Sequence, residues 1–228
     1  MILIHFNTDN NDYVLSINNY DSNKNIDCDF WSKLQDTMKV ILKRAESYEH
    51  NIKAINHDIL TDLFNRNAYE TRIQQMGDNE DHLVYGLFDL FRLKYINDNY
   101  SHAVGDLYIK ETAKILKKYW PKQTKLIVEN ESKLVDTGHS VYRIGGDEFA
   151  LLTTTEKLEL AKIKASLAAE EVSMIDLGID EKPIIGLNVG LVDHAVGNTI
   201  KQTYQEADYL MNEDKKLMYI KHGLERRR

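Results

Sequence analysis

Residues 140–154, SVYRIGGDEFALLTT, set two apolar runs of strand length on either side of Gly145 and Gly146, with Asp147 and Glu148 directly after the glycines. Strand interiors ordinarily exclude both glycine and adjacent carboxylates. The break therefore reads as a tight turn, and the segment commits the chain to an antiparallel hairpin with two acids at its tip. Two uses of that tip stay open on these residues alone. One is a turn and nothing more. The other is a backbone opened for a phosphate, since glycine permits positive φ and carries no side chain to block a ligand, with the acids placed to hold a cation.

Helix and strand patterns alternate around this hairpin. TDLFNRNAYETRIQQM (61–76) reads as a helix capped by Thr61 or Asp62. HLVYGLFDLF (82–91) is an apolar run of strand length, LKYINDNY (93–100) a short helix, and AVGDLYIKETAKILKKYW (103–120) a longer helix stopped by Pro121. Residues 121–139 are polar and irregular, with one short strand at KLIV (125–128). A helix over 156–173, a strand over 183–192 and a last helix over 202–220 complete the chain. The order α-β-α-α-β-β-α-β-α predicts an α+β domain, an antiparallel sheet with its helices on one side.

Ahead of this domain, MILIHF and YVLSI flank the polar turn NTDNND and read as a hairpin over 1–17, followed by an Asn-rich acidic linker to residue 29. Trp31, Leu34, Met38, Ile41, Ala45, Tyr48, Ile52, Ile55 and Ile59 then recur in steps of three and four, with charged residues between them. Such a narrow seam favours a two-chain coiled coil over a single amphipathic helix lying on its own domain, with Ala45 and Tyr48 its weakest members. The domain reading is thus 1–29 for the hairpin and linker, 30–57 for a coiled-coil signalling helix, and 58–228 for the main domain.

The formal net charge of −7 argues against a general nucleic-acid binder, whose affinity comes largely from basic surfaces. A single cysteine, Cys28, excludes an internal disulfide framework and reads as a bystander thiol in a reducing compartment. No apolar stretch approaches the ~18 residues that a membrane span needs, and the N-terminus lacks the basic region of a signal peptide. The expectation is a cytoplasmic protein with no membrane partner and no nucleic-acid polymer.

Asp89 is the chemically conspicuous residue of the 82–91 strand. A carboxylate on a buried strand is costly unless it is paired or bound to a cation. If the hairpin lies beside this strand, Asp89 and Asp147 approach within a few ångströms and form a hard-oxygen site suited to Mg²⁺ bearing a triphosphate. Side chains alternate along a strand, so only one of Asp147 and Glu148 points the way of Asp89 unless the turn bends the chain. Lys94 and Asn97 share a helix face three residues apart, with Asp98 beside them and Asp106 following. A lysine and an amide near an acid suit a phosphate and a base edge; equally, this is a solvated face.

GGDEF at 145–149 resembles the signature that names the diguanylate cyclase family. The likeness extends to DILTDLFNR (58–66), FDLFRLKYINDNYSHAVGD (88–106), LNVGLV (187–192) and ADYLMNEDKKLMY (207–219), in family order over residues 57–222. The resemblance implies a palm-like fold, a central antiparallel sheet flanked by helices, preceded here by the short hairpin and the long coiled-coil helix. It also implies the condensation of two GTP into cyclic di-GMP with release of pyrophosphate, each domain of a homodimer holding one GTP, with residues 31–59 as the dimer seam. By position, Asp89, the Leu90 carbonyl and Asp147 would hold Mg²⁺, with Mn²⁺ as an alternative. Asp147, Glu148 and Lys94 fall at catalytic positions, Asp147 or Glu148 assisting deprotonation of the attacking 3′-hydroxyl. Asn97, His102, Asp106, Gly145, Gly146 and Lys215 fall at substrate-binding positions, Asn97 and Asp106 reading guanine, and Lys94 and Lys215 gripping phosphate.

Three positions depart from the family pattern. Phe91 stands where the second Asp of an Asp-x-Asp pair is usual, on the same side of the strand as Asp89, where it could crowd the site. Asp136-Thr137-Gly138-His139 replaces the Arg-x-x-Asp motif of product inhibition, so that inhibitory site should be absent. Tyr219 stands where many members carry a phosphate-binding arginine. Phe91 in particular keeps a second reading in play, a degenerate domain that binds GTP or a cyclic dinucleotide without catalysis.

Overall fold

The computed structural model describes residues 2–7, 12–17, 28–76, 83–121, 124–125, 135–136, 139–195 and 197–225. They form two compact units, residues 1–55 and 56–228. In the first, β1 (Ile2–Asn7) and β2 (Asp12–Ile17) pair antiparallel from Ile2 opposite Ile17 to Asn7 opposite Asp12. The linker expected after this hairpin lies outside the described residues up to residue 27. The long helix α1 (Cys28–Asn56) carries the seam. Trp31, Leu34, Met38 and Ile52 are half-buried on it, whereas Ile41, Tyr48 and Ile55 are 52%, 68% and 59% exposed. Ile59, read as the last member of the seam, lies beyond the helix in a turn and is fully exposed.

The second unit starts with a loop where a helix was expected. Asp58 Oδ1 accepts from both the backbone N–H and the hydroxyl of Thr61, at 2.9 and 2.6 Å, and Asp62 takes a left-handed φ of 55°. These bonds spend Thr61 and Asp62 on a turn, so α2 (Arg66–Met76) starts only at Arg66. Asn65 caps it, its Oδ1 accepting from Ala68 N–H at 3.0 Å. The rest of the chain runs β3 (Val84–Phe91), α3 (Leu93–Asn99), α4 (His102–Tyr119), a two-residue ribbon of β4 (Thr124–Lys125) with β5 (Val135–Asp136), then β6 (His139–Arg143), β7 (Glu148–Thr153), α5 (Leu158–Ser173), β8 (Gly186–Asp193) and α6 (Ile200–Lys221). Of the strand expected at KLIV, Lys125 is in β4 and residues 126–128 lie outside the described residues.

The main sheet has four antiparallel strands in the order β6-β7-β3-β8. The inner strand β3 is buried along its whole length, which explains why it reads as an apolar run interrupted only by Gly86 and Asp89. Its residues divide by parity between two cores. Val84, Phe88 and Leu90 join one cluster with residues of α3, α4 and α5. Leu83, Tyr85 and Leu87 join another with Met76 of α2 and Ala207 and Met211 of α6. Helices therefore cover both faces, not one as the element order suggested. An element order specifies which pieces exist but not to which face each crosses.

Both sheet edges are closed by local contacts. Arg143 N–H in β6 donates to the Phe64 carbonyl at 2.7 Å, and Val189 N–H in β8 donates to Asp214 Oδ2 of α6 at 2.8 Å. Unpaired edge groups are the usual route to unwanted pairing, so these bonds also protect the fold. What lets α6 lie so close to β8 is Gly190: a Cβ there would stand 2.0 Å from the Ala207 carbonyl oxygen and 2.7 Å from Met211 N, both backbone atoms that cannot rotate away. Gly190→Ala should destabilise the domain by about 1–3 kcal/mol or more. Gly146→Ala, where the added Cβ meets nothing within 4 Å, should stay within about 0.5 kcal/mol. Urea unfolding of the two variants checks this, and equal midpoints would contradict the close approach of α6.

Candidate active site

One row of residues crosses the sheet near the tip of the β6–β7 hairpin. Asp89 on β3 stands opposite Glu148 on β7 and opposite Asn188 on β8. Asp89 is 4% exposed and Asn188 is completely buried. The Asn188 amide nitrogen donates to Asp89 Oδ1 at 2.8 Å and to the Asp89 main-chain carbonyl at 3.3 Å. From α6, Lys215 Nζ contacts both carboxylate oxygens, Oδ1 at 2.7 Å and Oδ2 at 2.9 Å. The neighbouring Asp214 bond to Val189 holds this turn of α6 against the strand edge. Burial pushes the Asp89 carboxyl above its ordinary value; Lys215 opposes that shift, the charge of Asp147 adds to it, and Asn188 opposes it.

The hairpin tip is pinned from three sides. Ile144 and Gly145 N–H groups converge on the Glu148 carbonyl at 3.0 and 3.2 Å, and Leu90 N–H donates to the Asp147 carbonyl at 3.0 Å. The Arg143 guanidinium donates to the Gly146 carbonyl at 2.9 Å and to both oxygens of Asp58 at 3.1 and 3.2 Å. Burial works against ionisation of Asp58, but the Thr61 hydroxyl and Arg143 outweigh it and hold that carboxyl below the usual range. The loop that follows α1 is thus tied to the acidic hairpin by a charge-assisted fork.

The turn at Gly145 and Gly146 does not use the positive φ that glycine permits. Neither has a positive φ among the described residues. At Gly145 a Cβ would stand 2.7 Å from Glu148 Oε2, so this glycine makes room for the Glu148 carboxylate, while Gly146 faces open space. Glu148 is raised by burial first, then by the charges of Asp147, Asp89 and Asp208. The bend at the tip therefore brings both acids within electrostatic reach of Asp89, where simple alternation would have brought one.

The second expected group is assembled by α3 and α4. Arg92, at a left-handed φ of 64°, turns the chain out of β3 into α3 and stacks its guanidinium 3.7 Å over the Tyr95 ring. The Asn97 side chain lies against Gly105, where a Cβ would stand 1.9 Å from Asn97 Oδ1, so that glycine lets the two helices close. Asn97 Oδ1 is shielded and has no hydrogen-bond partner among the described residues, and Asp106, next to Gly105 in the chain, is exposed. Lys94 and His102 are exposed on α3 and on the first turn of α4. Tyr108 braces this end, its hydroxyl accepting from Gly186 N–H at 2.9 Å and donating to the Gly186 carbonyl at 2.6 Å.

Phe91 and Tyr219, two separate departures in the sequence, meet in space. Their ring centroids are 4.9 Å apart at 66°, with the His222 ring 6.4 Å from Phe91. Phe91 is fully buried in this contact with the last turns of α6. Asn188 and the Asp58–Arg143 pair were not among the expected site residues. An amide inside the apolar run LNVGLV was the available signal for Asn188.

Among the described residues no three acidic, histidine or cysteine side chains converge to hold a metal ion by themselves. Two carboxylates, Asp89 and Asp147, do lie within electrostatic reach of each other. That suits Mg²⁺, which is commonly held by one or two carboxylates together with substrate phosphates.

An antiparallel four-stranded sheet, helices on both faces and acids gathered at one hairpin tip place the chain among α+β palm-like domains. Residues 55–219 match the family model "Diguanylate cyclase, GGDEF domain", and the chain belongs to that family. The probable diguanylate cyclase DgcI of Escherichia coli K12 is 33% identical over 121 residues, which are 53% of this chain and 24% of that protein. Diguanylate cyclase VdcA of Vibrio cholerae is 26% identical over 165 residues, 70% of this chain and 44% of that protein. The chain thus spans less than half the length of these curated relatives. Among solved structures, the coiled coil and GGDEF domain of DgcB from Caulobacter crescentus, in complex with c-di-GMP, superposes with a TM-score of 0.66 at 18% identity, covering 82% of this chain and 94% of that one. The FimX GGDEF domain from Pseudomonas aeruginosa does so at 0.58 and 12% identity. No helix among the described residues is long and apolar enough to cross a membrane.

The raised Glu148 carboxyl carries a signed pH prediction. Its folded-state value lies above its unfolded one, so ionisation opposes folding, and stability is lost as pH rises from the ordinary carboxylate range of about 4.3 through the folded value. Glu148→Gln should therefore melt above the unsubstituted protein at neutral pH, with the gap closing below about pH 4. Melting curves across that range check the sign.

Proposed function

We propose that this chain is a diguanylate cyclase, condensing two GTP into cyclic di-GMP with release of pyrophosphate. The observation that carries the reading is the row Glu148–Asp89–Asn188, with Asp147 at its end and Lys215 above it, inside the family fold. Asp89, Asp147 and the Leu90 carbonyl would hold Mg²⁺ or Mn²⁺, which when bound neutralises the triphosphate and polarises the reacting phosphate. Lys215 is placed to neutralise phosphate charge once a cation takes its place at Asp89. Lys94 is the second phosphate contact, while Asn97 and Asp106 read guanine, the Asp106 carboxylate accepting its N–H groups, with His102 beside them. Asp147 or Glu148, side by side at the hairpin tip, would take the proton of the attacking 3′-hydroxyl. The chemistry is positioning and charge neutralisation with little covalent work by the protein.

One such site holds one GTP, so the product needs two chains. The exposed apolar seam of α1 supports a homodimer through residues 31–59, of which the part up to Asn56 is helical, with 30–57 as a signalling helix and 58–228 as the cyclase domain. A GTP substrate fits a cytoplasmic location. The packed Phe91–Tyr219 pair favours a second reading, in which two polar positions have been surrendered and the domain binds GTP or a cyclic dinucleotide without turnover.

Incubation with GTP and Mg²⁺ should yield cyclic di-GMP and pyrophosphate by chromatography and mass spectrometry, and Asp147→Asn should fall below about 1% of that rate. Product no higher than that of the variant would sink the enzyme reading, and calorimetric GTP binding without pyrophosphate would then favour the second. Ile41→Asp, at a position already half exposed in the single chain, should convert a dimer to monomers in sedimentation velocity and remove the product. A variant that stays dimeric and active would rule out the seam.

A further inference from the structure

The Asn188 side chain is only half satisfied as it stands: its nitrogen is bonded and its oxygen, among the described residues, is not. It occupies the middle of β8 on the face that Val192 and Leu87 also serve, a place that a sheet ordinarily fills with an aliphatic side chain. It is completely buried. Its amide nitrogen bonds to Asp89, but its Oδ1 is shielded and has no hydrogen-bond partner among the described residues. A buried acceptor left unmade is a net cost to folding, and such exceptions in a native core call for a reason.

The reason lies in what the other end of the amide does. Asp89 Oδ1 is held by Lys215 and by Asn188. Lys215 reaches it from a helix on a flexible four-carbon stem, and an ammonium cannot keep its place once a divalent cation arrives, since like charges at such distances repel. Asn188 is short, uncharged and rooted in the strand paired with β3, and it also bonds the Asp89 main-chain carbonyl. It keeps the carboxylate in one orientation whether or not Lys215 stays. Hydrated Mg²⁺ gives up its waters reluctantly and presents them as donors, which is the kind of partner that the orphaned Oδ1 lacks.

We propose that Asn188 is a positioning residue of the cation site: its amide N–H groups fix Asp89, and its Oδ1 accepts from water on the bound divalent ion. This rests on the reading of the site given above. Partners that orient a metal-binding carboxylate are typically worth 10–100-fold in metal affinity.

The test compares Asn188→Leu and Asn188→Ser with the unsubstituted chain. Melting temperature is measured without ligand. Mn²⁺ binding is measured by electron paramagnetic resonance with guanosine 5′-(α,β-methylene)triphosphate, which cannot turn over. The Leu variant should melt close to the unsubstituted protein, because removing the orphaned acceptor offsets the bond that Asp89 loses while Lys215 still contacts both its oxygens, yet bind Mn²⁺ about 10–100-fold more weakly. The Ser variant, which keeps a hydroxyl donor for Asp89, should recover part of that loss. Mn²⁺ binding kept within about twofold by the Leu variant overturns the inference, as does a fall in melting temperature in both variants that parallels the lost binding. If the Leu variant does not fold, the Ser variant decides: weaker Mn²⁺ binding at an unchanged melting temperature supports the inference, and unchanged binding overturns it. No Mn²⁺ binding by the unsubstituted protein with the nucleotide analogue overturns the cyclase reading and this inference together.

Discussion

A carboxylate on an inner strand of a sheet must be compensated where it stands, and for Asp89 the compensation comes from elements far apart in the chain. Asn188 lies 99 residues away and Lys215 lies 126 away, yet both bond the same carboxylate. For Asn188 to reach it, β8 must pair with β3 in one register, because a slip of one residue would turn the amide to the opposite face. For Lys215 to reach it, α6 must lie almost on the backbone of β8, which Gly190 permits and the Asp214–Val189 bond secures. The packing of half the domain is thus a condition for one buried charge.

The hairpin is built on the same logic from the other side. Its tip brings Asp147 and Glu148 within electrostatic reach of Asp89, and the backbone there is fixed by bonds from Leu90 to Asp147 and from Arg143 to Gly146, with Arg143 also bonded to Asp58. The last pair joins the hairpin to the loop immediately after α1. That contact is made inside the second unit, so whatever displaces residues 56–65 acts on Arg143 directly.

Phe91 and Tyr219 are separate departures in the sequence and a single contact in the fold. Each counts separately as a lost polar group, and Phe91 alone looks like an obstruction beside Asp89. In the fold they form one buried aromatic contact with His222 close by, which anchors the end of α6 one turn beyond Lys215. The two changes are compatible with each other in packing, because an aromatic pair needs no partner charge.

The sequence by itself determined the elements whose signal is local. The glycine-broken hairpin, the apolar run of β3, the heptad seam of α1 and the acids at the hairpin tip follow from period, composition and turn chemistry within a dozen or so residues. The start of α2 was misread even at that scale, because Thr61 and Asp62 have the residue types of a helix cap but are drawn into a turn by Asp58. Only the tertiary structure decided that helices cover both faces, that Gly145 makes room for Glu148 instead of reversing the backbone, and that Asn188 and Lys215 converge on Asp89. Those outcomes depend on strand register and helix approach between distant segments. Alternation along one strand carries no information about which residue will stand opposite.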